Sequence, residues 1–117
     1  MKVLVVEDEI ALLELYKEEI EFDCPNVEVL TATNGVEGLE LCSQIAVDMI
    51  ITDCRMPELD GVKMAERLKG SGIPIYMLTG HSHMYEPAYI KEQGVLEIFS
   101  KPVDFDEILR IIKNSSN

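Results

Sequence analysis

The sequence predicts a doubly wound α/β domain: a five-stranded parallel sheet in the order 2-1-3-4-5 with five helices. Two observations carry this. Five short apolar runs, several rich in β-branched residues, recur along the chain: Lys2 to Val6, Val27 to Thr31, Met49 to Ile51, Ile75 to Leu78 and Leu96 to Ser100. Each is followed by a segment of helical character, with no linker or low-complexity tract between. Such alternation implies right-handed crossovers and helices on both faces of a parallel sheet, and five units suit the 2-1-3-4-5 order. At 117 residues, 47% of them hydrophobic, the chain is long enough for one core and too short for two, so residues 1–117 read as a single domain.

The elements follow in order. Lys2 to Val6 is a buried first strand that stops at Glu7-Asp8-Glu9. A helix from Ile10 to Ile20 turns Ile10, Leu13, Tyr16 and Ile20 inward and its glutamates outward, until Cys24-Pro25-Asn26 breaks the pattern. The second strand, Val27 to Thr31, leads to an Asn34-Gly35 turn and a helix from Val36 to Ile45, with Val36, Leu39 and Cys42 in register. The third strand is an uninterrupted apolar run, as expected of a strand buried on both faces, and it ends at Asp53. Pro57 and Asp60-Gly61 then enforce a loop. Gly61 to Lys69 is a third helix, closed by Gly70-Ser71-Gly72. Ile75 to Leu78 stops at Thr79-Gly80, and Pro87 to Gln93 is a short fourth helix with proline in its first turn, ended by Gly94. The fifth strand is stopped by Lys101-Pro102. Asp104, with Glu107 three residues on, is a capping box for a last helix that turns Phe105, Ile108 and Ile112 inward and frays from Asn114.

Composition excludes several functions. A net charge of −12 repels phosphate backbones, so direct nucleic-acid binding is not expected. No apolar run approaches the ~20 residues of a membrane span, and no signal-peptide pattern opens the chain, so a cytoplasmic protein is expected. Cys24, Cys42 and Cys54 lack metal-ligand spacing and are odd in number; they read as reduced, small near-core residues, with Cys54 a candidate for redox sensitivity.

In the order 2-1-3-4-5 the first, third, fourth and fifth strands are neighbours. They end in Glu7-Asp8, Asp53, Thr79 and Lys101, all at the carboxyl edge where open α/β sheets bind ligands. Three carboxylates in a partly dry place repel, raising at least one pKa. A hard divalent cation, Mg²⁺ or Mn²⁺, relieves that repulsion. Asp53 is then positioned to act as a carboxylate nucleophile. Lys101 would neutralise charge on a transferring phosphoryl group, and the Thr79 hydroxyl would bond one of its oxygens.

Glu7-Asp8-Glu9, Asp53 followed by M-P-x-x-D-G, Leu78-Thr79-Gly80 and Lys101-Pro102 together resemble the receiver domain of two-component response regulators, which has a flavodoxin-like fold. The resemblance covers essentially the whole chain. It implies that Asp53 accepts a phosphoryl group from the phosphohistidine of a histidine kinase or histidine phosphotransfer protein, with autodephosphorylation but no turnover enzymology. It implies Mg²⁺ on Asp8, Asp53 and the main-chain carbonyl of Arg55, with Glu7 helping through water. It further implies that Thr79 and Lys101 contact the phosphoryl group, that Lys101-Pro102 is a cis peptide, and that Arg55 and His81 flank the path of hydrolytic water.

Receivers that switch an output commonly carry Tyr or Phe three residues before the lysine; Ile98 stands there, and Phe99 should face the other side. The His81-to-Lys101 segment resembles single-domain relay receivers of the sporulation phosphorelay kind. A monomer that relays the group is therefore favoured over one that dimerises on phosphorylation and drives an output domain or downstream protein. Three rivals remain. A flavin protein would want a phosphate loop where Glu7-Asp8-Glu9 stands. A phosphohydrolase would want an acid/base where Arg55 stands. A degenerate receiver would dock proteins without being phosphorylated.

Overall fold

The computed structural model describes residues 1–80 and 85–115. Strands β1 (Lys2–Val6), β2 (Glu28–Ala32), β3 (Met49–Asp53), β4 (Ile75–Thr79) and β5 (Val95–Ser100) form one sheet in the order β2-β1-β3-β4-β5, every pair parallel. Helices α1 (Ile10–Asp23), α2 (Gly35–Gln44), α3 (Gly61–Arg67), α4 (Pro87–Glu92) and α5 (Phe105–Ser115) cover its faces. Among the described residues no helix is long and apolar enough to cross a membrane.

The two-residue period of the strands divides the core. Val3, Val5, Met49, Ile51, Leu78 and Phe99 pack with Leu13, Tyr16 and Ile20 of α1 and Ile108 and Ile112 of α5. Leu4, Val6, Ile50 and Met77 pack on the other face with Val62, Met64 and Ala65 of α3 and Ile90 of α4. Every residue of β3 is buried. Each fully buried aliphatic side chain in such a strand contributes roughly 1.5–3 kcal/mol. In β5 the register slips between Val95 and Glu97, leaving Leu96 as an extra, exposed residue. Ile98 consequently shares a face with Val95, while Phe99 points to the opposite core.

Strand β2 is an edge, and residue pairing directs the Val29 backbone away from β1. Those outward groups are covered: the Val29 N–H donates to Glu21 Oε2 and its carbonyl accepts from Lys17 Nζ, both at 3.0 Å. Lys17 and Glu21 also pair with each other at 3.0 Å. Charged residues placed this way block strand addition.

Several local expectations need correcting. Ile10 is 60% exposed and Val36 39% exposed. Both lie in the first turn of their helices, following the carboxyl ends of β1 and β2. In α2, Leu39 and Cys42 pack partly buried against the core as expected, and the fully buried positions are Gly35 and Gly38, which let the helix sit close on Leu59, Met64 and Val6. Helix α1 runs on to Asp23, β2 is shifted one residue later, and α3 ends at Arg67, with Gly70 and Gly72 at positive φ beyond it. Ser115 has not frayed; its hydroxyl bonds the Ile111 carbonyl at 2.9 Å. At the start of α5 the Asp104 carboxylate accepts from the Asp106 N–H at 3.0 Å rather than from that of Glu107, an Asx-type cap. Phe105 is half-buried, stacked on Tyr16 with ring centroids 6.3 Å apart.

Candidate functional site

The sheet order reverses between β1 and β3, so the connections leaving these strands diverge and open a crevice at their carboxyl ends. Register sets what lines it. Val6 pairs with Thr52, Asp53 with Leu78, and Thr79 with Ser100, which brings the strand ends level. The Glu7 N–H continues the ladder to the Ala32 carbonyl at 3.0 Å, and the Lys101 N–H reaches the Thr79 carbonyl at 2.7 Å. Glu7, Asp53 and Thr79 are therefore buried, at 2%, 7% and 8% exposure, while Asp8 faces solvent.

One carboxylate oxygen from each of Glu7, Asp8 and Asp53 lies within 4.8 Å of the others. Lys101 Nζ sits among them, 2.9 Å from Asp53 Oδ1 and 3.4 Å from Glu7 Oε1. Burial, a hydrogen bond with Asp8 and the Asp53 charge together push the Glu7 carboxyl up to about 7, against the pull of the Glu9 N–H and Lys101. Burial lowers the affinity of Lys101 for its proton, but the Asp53 and Glu7 carboxylates outweigh it and hold its pKa above the ordinary value. Burial is the main cause of the raised Glu7, with the neighbouring carboxylates adding to it, and a donor set of three clustered oxygens suits a hard divalent cation.

The loop after Asp53 is fixed by short backbone contacts. The Cys54 N–H bonds both Asp53 Oδ1 and the Leu78 carbonyl, each at 3.0 Å. The Gly61 N–H bonds the Cys54 carbonyl at 2.9 Å, and the Gly35 N–H bonds that of Leu59 at 3.0 Å. A Cβ on Gly61 would collide with the Asp53 carbonyl oxygen. Asp60 Oδ1 caps α3 at the Lys63 N–H, 2.8 Å away. Glu58 takes a left-handed backbone, φ 66°, uncommon for a residue with a side chain. Arg55 lies on this loop with its side chain exposed, beside a shallow depression shared with Asp8, Met56 and Lys63.

The remaining sequence candidates are distributed as follows. The Lys101–Pro102 peptide is cis. Ile98 is half-buried in the same apolar cluster as Tyr85, on the α3–α4 face; Phe99 belongs to the α1–α5 core. His81 lies outside the described residues. Burial, with the Asp60 and Asp53 charges, pushes the Cys54 thiol up to about 11. This disfavours the thiolate and weighs against the redox role considered for it. Sequence reasoning missed a contact altogether: the Tyr85 hydroxyl donates to Asp60 Oδ2 at 2.8 Å, and the Tyr85 ring stacks on Tyr89 at 5.7 Å. The Asp-Gly pair signalled a turn at Asp60, but nothing in the local pattern paired Asp60 with Tyr85.

Residues 3–113 match the family model described as response regulator receiver domain. The chain belongs to this family. Among its relatives, the transcriptional regulatory protein GlrR of Escherichia coli (strain K12) is 32% identical over 114 residues, covering 96% of this chain and 25% of its own length. The sporulation initiation phosphotransferase F of Bacillus subtilis (strain 168) is 28% identical over 114 residues, covering 96% of this chain and 90% of the relative. A response regulator receiver domain protein from Clostridium thermocellum superposes with TM-score 0.87 at 31% identity, over 97% of this chain and 92% of that one. The chain thus spans a quarter of GlrR and nearly all of the sporulation protein. Receiver domains belong to two-component signalling and work with histidine kinases or phosphotransfer proteins. They generally bind Mg²⁺ and are not in general turnover enzymes.

Proposed function

We propose that this receiver takes a phosphoryl group onto Asp53 from the phosphohistidine of a histidine kinase or histidine phosphotransfer protein. The observation that carries the reading is the meeting of Asp53 with Lys101 and two further carboxylates at one sheet edge. A carboxylate oxygen of Asp53 attacks phosphorus. The new P–O bond forms as the P–N bond breaks, and the leaving imidazole nitrogen keeps the electron pair. Lys101, already 2.9 Å from Asp53, balances the negative charge on the phosphoryl oxygens. The Thr79 hydroxyl bonds one of them. Asp8, Asp53 and the Arg55 main-chain carbonyl would hold Mg²⁺, with Glu7 acting through water; the ion supplies charge neutralisation at the phosphoryl oxygens. By resemblance to the family, Arg55 and His81 tune the lifetime of the acyl phosphate.

Glu7 and Asp53 argue against the docking-only alternative, because a module without phosphoryl chemistry has no use for two buried carboxylates crowded beside a third. Phosphohistidine partners are expected along α1, where Leu15 is exposed among glutamates beside a groove closed by Pro102 and Phe105. Mg²⁺ titration of the melting temperature tests the metal half of the reading. Wild type should be stabilised by about 2.7 kcal/mol at one hundred times the dissociation constant. Asp8→Asn should respond only at far higher Mg²⁺. Equal response of the two proteins would contradict the metal assignment.

A further inference from the structure

A run of hydrogen bonds, one peptide link and one ring stack connects Asp53 to α4. Asp53 Oδ1 accepts from the Cys54 N–H at 3.0 Å, and the Cys54 carbonyl accepts from the Gly61 N–H at 2.9 Å. Gly61 directly follows Asp60, whose carboxylate is shared. Oδ1 caps α3 through the Lys63 N–H and Oδ2 accepts from the Tyr85 hydroxyl, both at 2.8 Å. Tyr85 in turn stacks on Tyr89 of α4 with ring planes 9° apart. Burial and the Asp60 carboxylate push the Tyr85 phenol up to about 12, so it remains a donor to Asp60 across the physiological range.

We propose that the Tyr85–Asp60 hydrogen bond couples the Asp53 site to helix α4, favouring the arrangement in which Lys101 pairs directly with Asp53. The inference rests on the phosphoryl-acceptor reading of Asp53. The two loops it ties together leave the sheet at Asp53 and at Thr79, the residues between which a phosphoryl group would be inserted. Its oxygens would separate Lys101 Nζ from Asp53 Oδ1, now 2.9 Å apart, and draw Thr79 inward. Thr79 is held to the neighbouring strand through its carbonyl, bonded to the Lys101 N–H at 2.7 Å, and Tyr85 is held to Asp60. A shift of the Asp53 loop that moves Cys54 and Gly61 is passed through Asp60 to the phenol–carboxylate bond. Ile98, in the same apolar cluster, has no polar group and a stiff side chain, so it offers no comparable state-dependent contact. A coupling element must interact differently with the two states, and this bond is built to do so.

The test uses Tyr85→Phe, which removes one oxygen and leaves the ring stack and packing intact. Beryllofluoride with Mg²⁺ serves as the phosphoryl mimic. A hydrogen bond to a charged group that is present in only one state is worth about a ten-fold shift in equilibrium. Tyr85→Phe should therefore bind the mimic about ten-fold more tightly than wild type. It should melt lower without the mimic and no lower with it. The amide shift changes that the mimic causes at Tyr89 and Ile90 in wild type should shrink. A purely structural bond would lower both melting temperatures equally. Affinity equal to or weaker than that of wild type, or undiminished shifts in α4, would overturn the role of Tyr85 while leaving Asp53 as acceptor. Failure of wild type to bind the mimic would remove the acceptor reading and this inference with it.

Discussion

Lys101 Nζ lies 2.9 Å from Asp53 Oδ1 and 3.4 Å from Glu7 Oε1, so a single ammonium answers two buried carboxylates from different strand ends. Burial first, then the hydrogen bond with Asp8 and the Asp53 charge, push the Glu7 carboxyl up to about 7.

This gives metal-free stability a definite pH dependence. A carboxyl whose folded pKa is raised binds more protons in the folded than in the unfolded state. Its contribution is fully present below the unfolded value of 4.5 and is lost as pH rises towards about 7. The loss is on the order of 3 kcal/mol. Chemical denaturation in chelator should show stability falling across that window. Glu7→Gln should flatten the slope and be the more stable protein at neutral pH. An unchanged slope would show that Glu7 is ionised throughout.

Gly61 and Gly35 let backbone approach backbone around the Asp53 loop. Gly61→Ala would drive a methyl group into the Asp53 carbonyl, and Gly35→Ala would drive one into that of Leu59. Overpacking of this kind costs roughly 1–3 kcal/mol. Gly38→Ala meets the flexible Met64 sulfur and should cost less. Denaturation midpoints of the three variants check this ranking; Gly38→Ala as the worst of them would refute it.

The β2 edge supplies a prediction independent of the site. Glu21→Ala removes the acceptor for the outward Val29 N–H and the partner of Lys17. It should cost about 1 kcal/mol and raise aggregation during refolding, seen by light scattering. The Val29 N–H and then Lys17 hold the Glu21 carboxyl below its ordinary pKa, so this protection is present above about pH 4.5 and fades on acidification. Equal scattering from variant and wild type would show that the edge needs no such cover.

Ile98 bears on the consequence of phosphorylation. Its burial can change by a methylene or two at most, each about 0.8 kcal/mol, so it supplies little driving force for repacking the α4–β5–α5 face. Sedimentation with Mg²⁺ and beryllofluoride should find a monomer with and without the mimic. Strong dimerisation through α4 and α5 would show that an output switch operates without an aromatic ring at this position.

The sheet order, the five strand–helix units and the strand-end position of Glu7, Asp53, Thr79 and Lys101 were legible because they depend on short-range signals: apolar runs, two-residue alternation, and Gly, Pro and Asn-Gly breaks. What was not legible depends on where one element lies over another. Ile10 has the right helical spacing but is exposed, and Gly38 carries no apolar signal although it marks a close approach of α2 to Met64 and Val6. The bond between Asp60 and Tyr85 joins two loops whose distance only the folded sheet sets. The ionisation of Cys54 was equally hidden, because burial and the nearby Asp60 and Asp53 charges decide it.

The most direct test of the account is intact-mass measurement after incubation with acetyl phosphate and Mg²⁺, followed by mapping of the modified residue. Wild type should gain one phosphoryl group, lost again on standing as acyl phosphates are. Asp8→Asn should gain it slowly, and Asp53→Ala not at all. A phosphoryl group found on Asp53→Ala, or mapped in wild type to any other residue, would contradict the assignment of Asp53 as the acceptor.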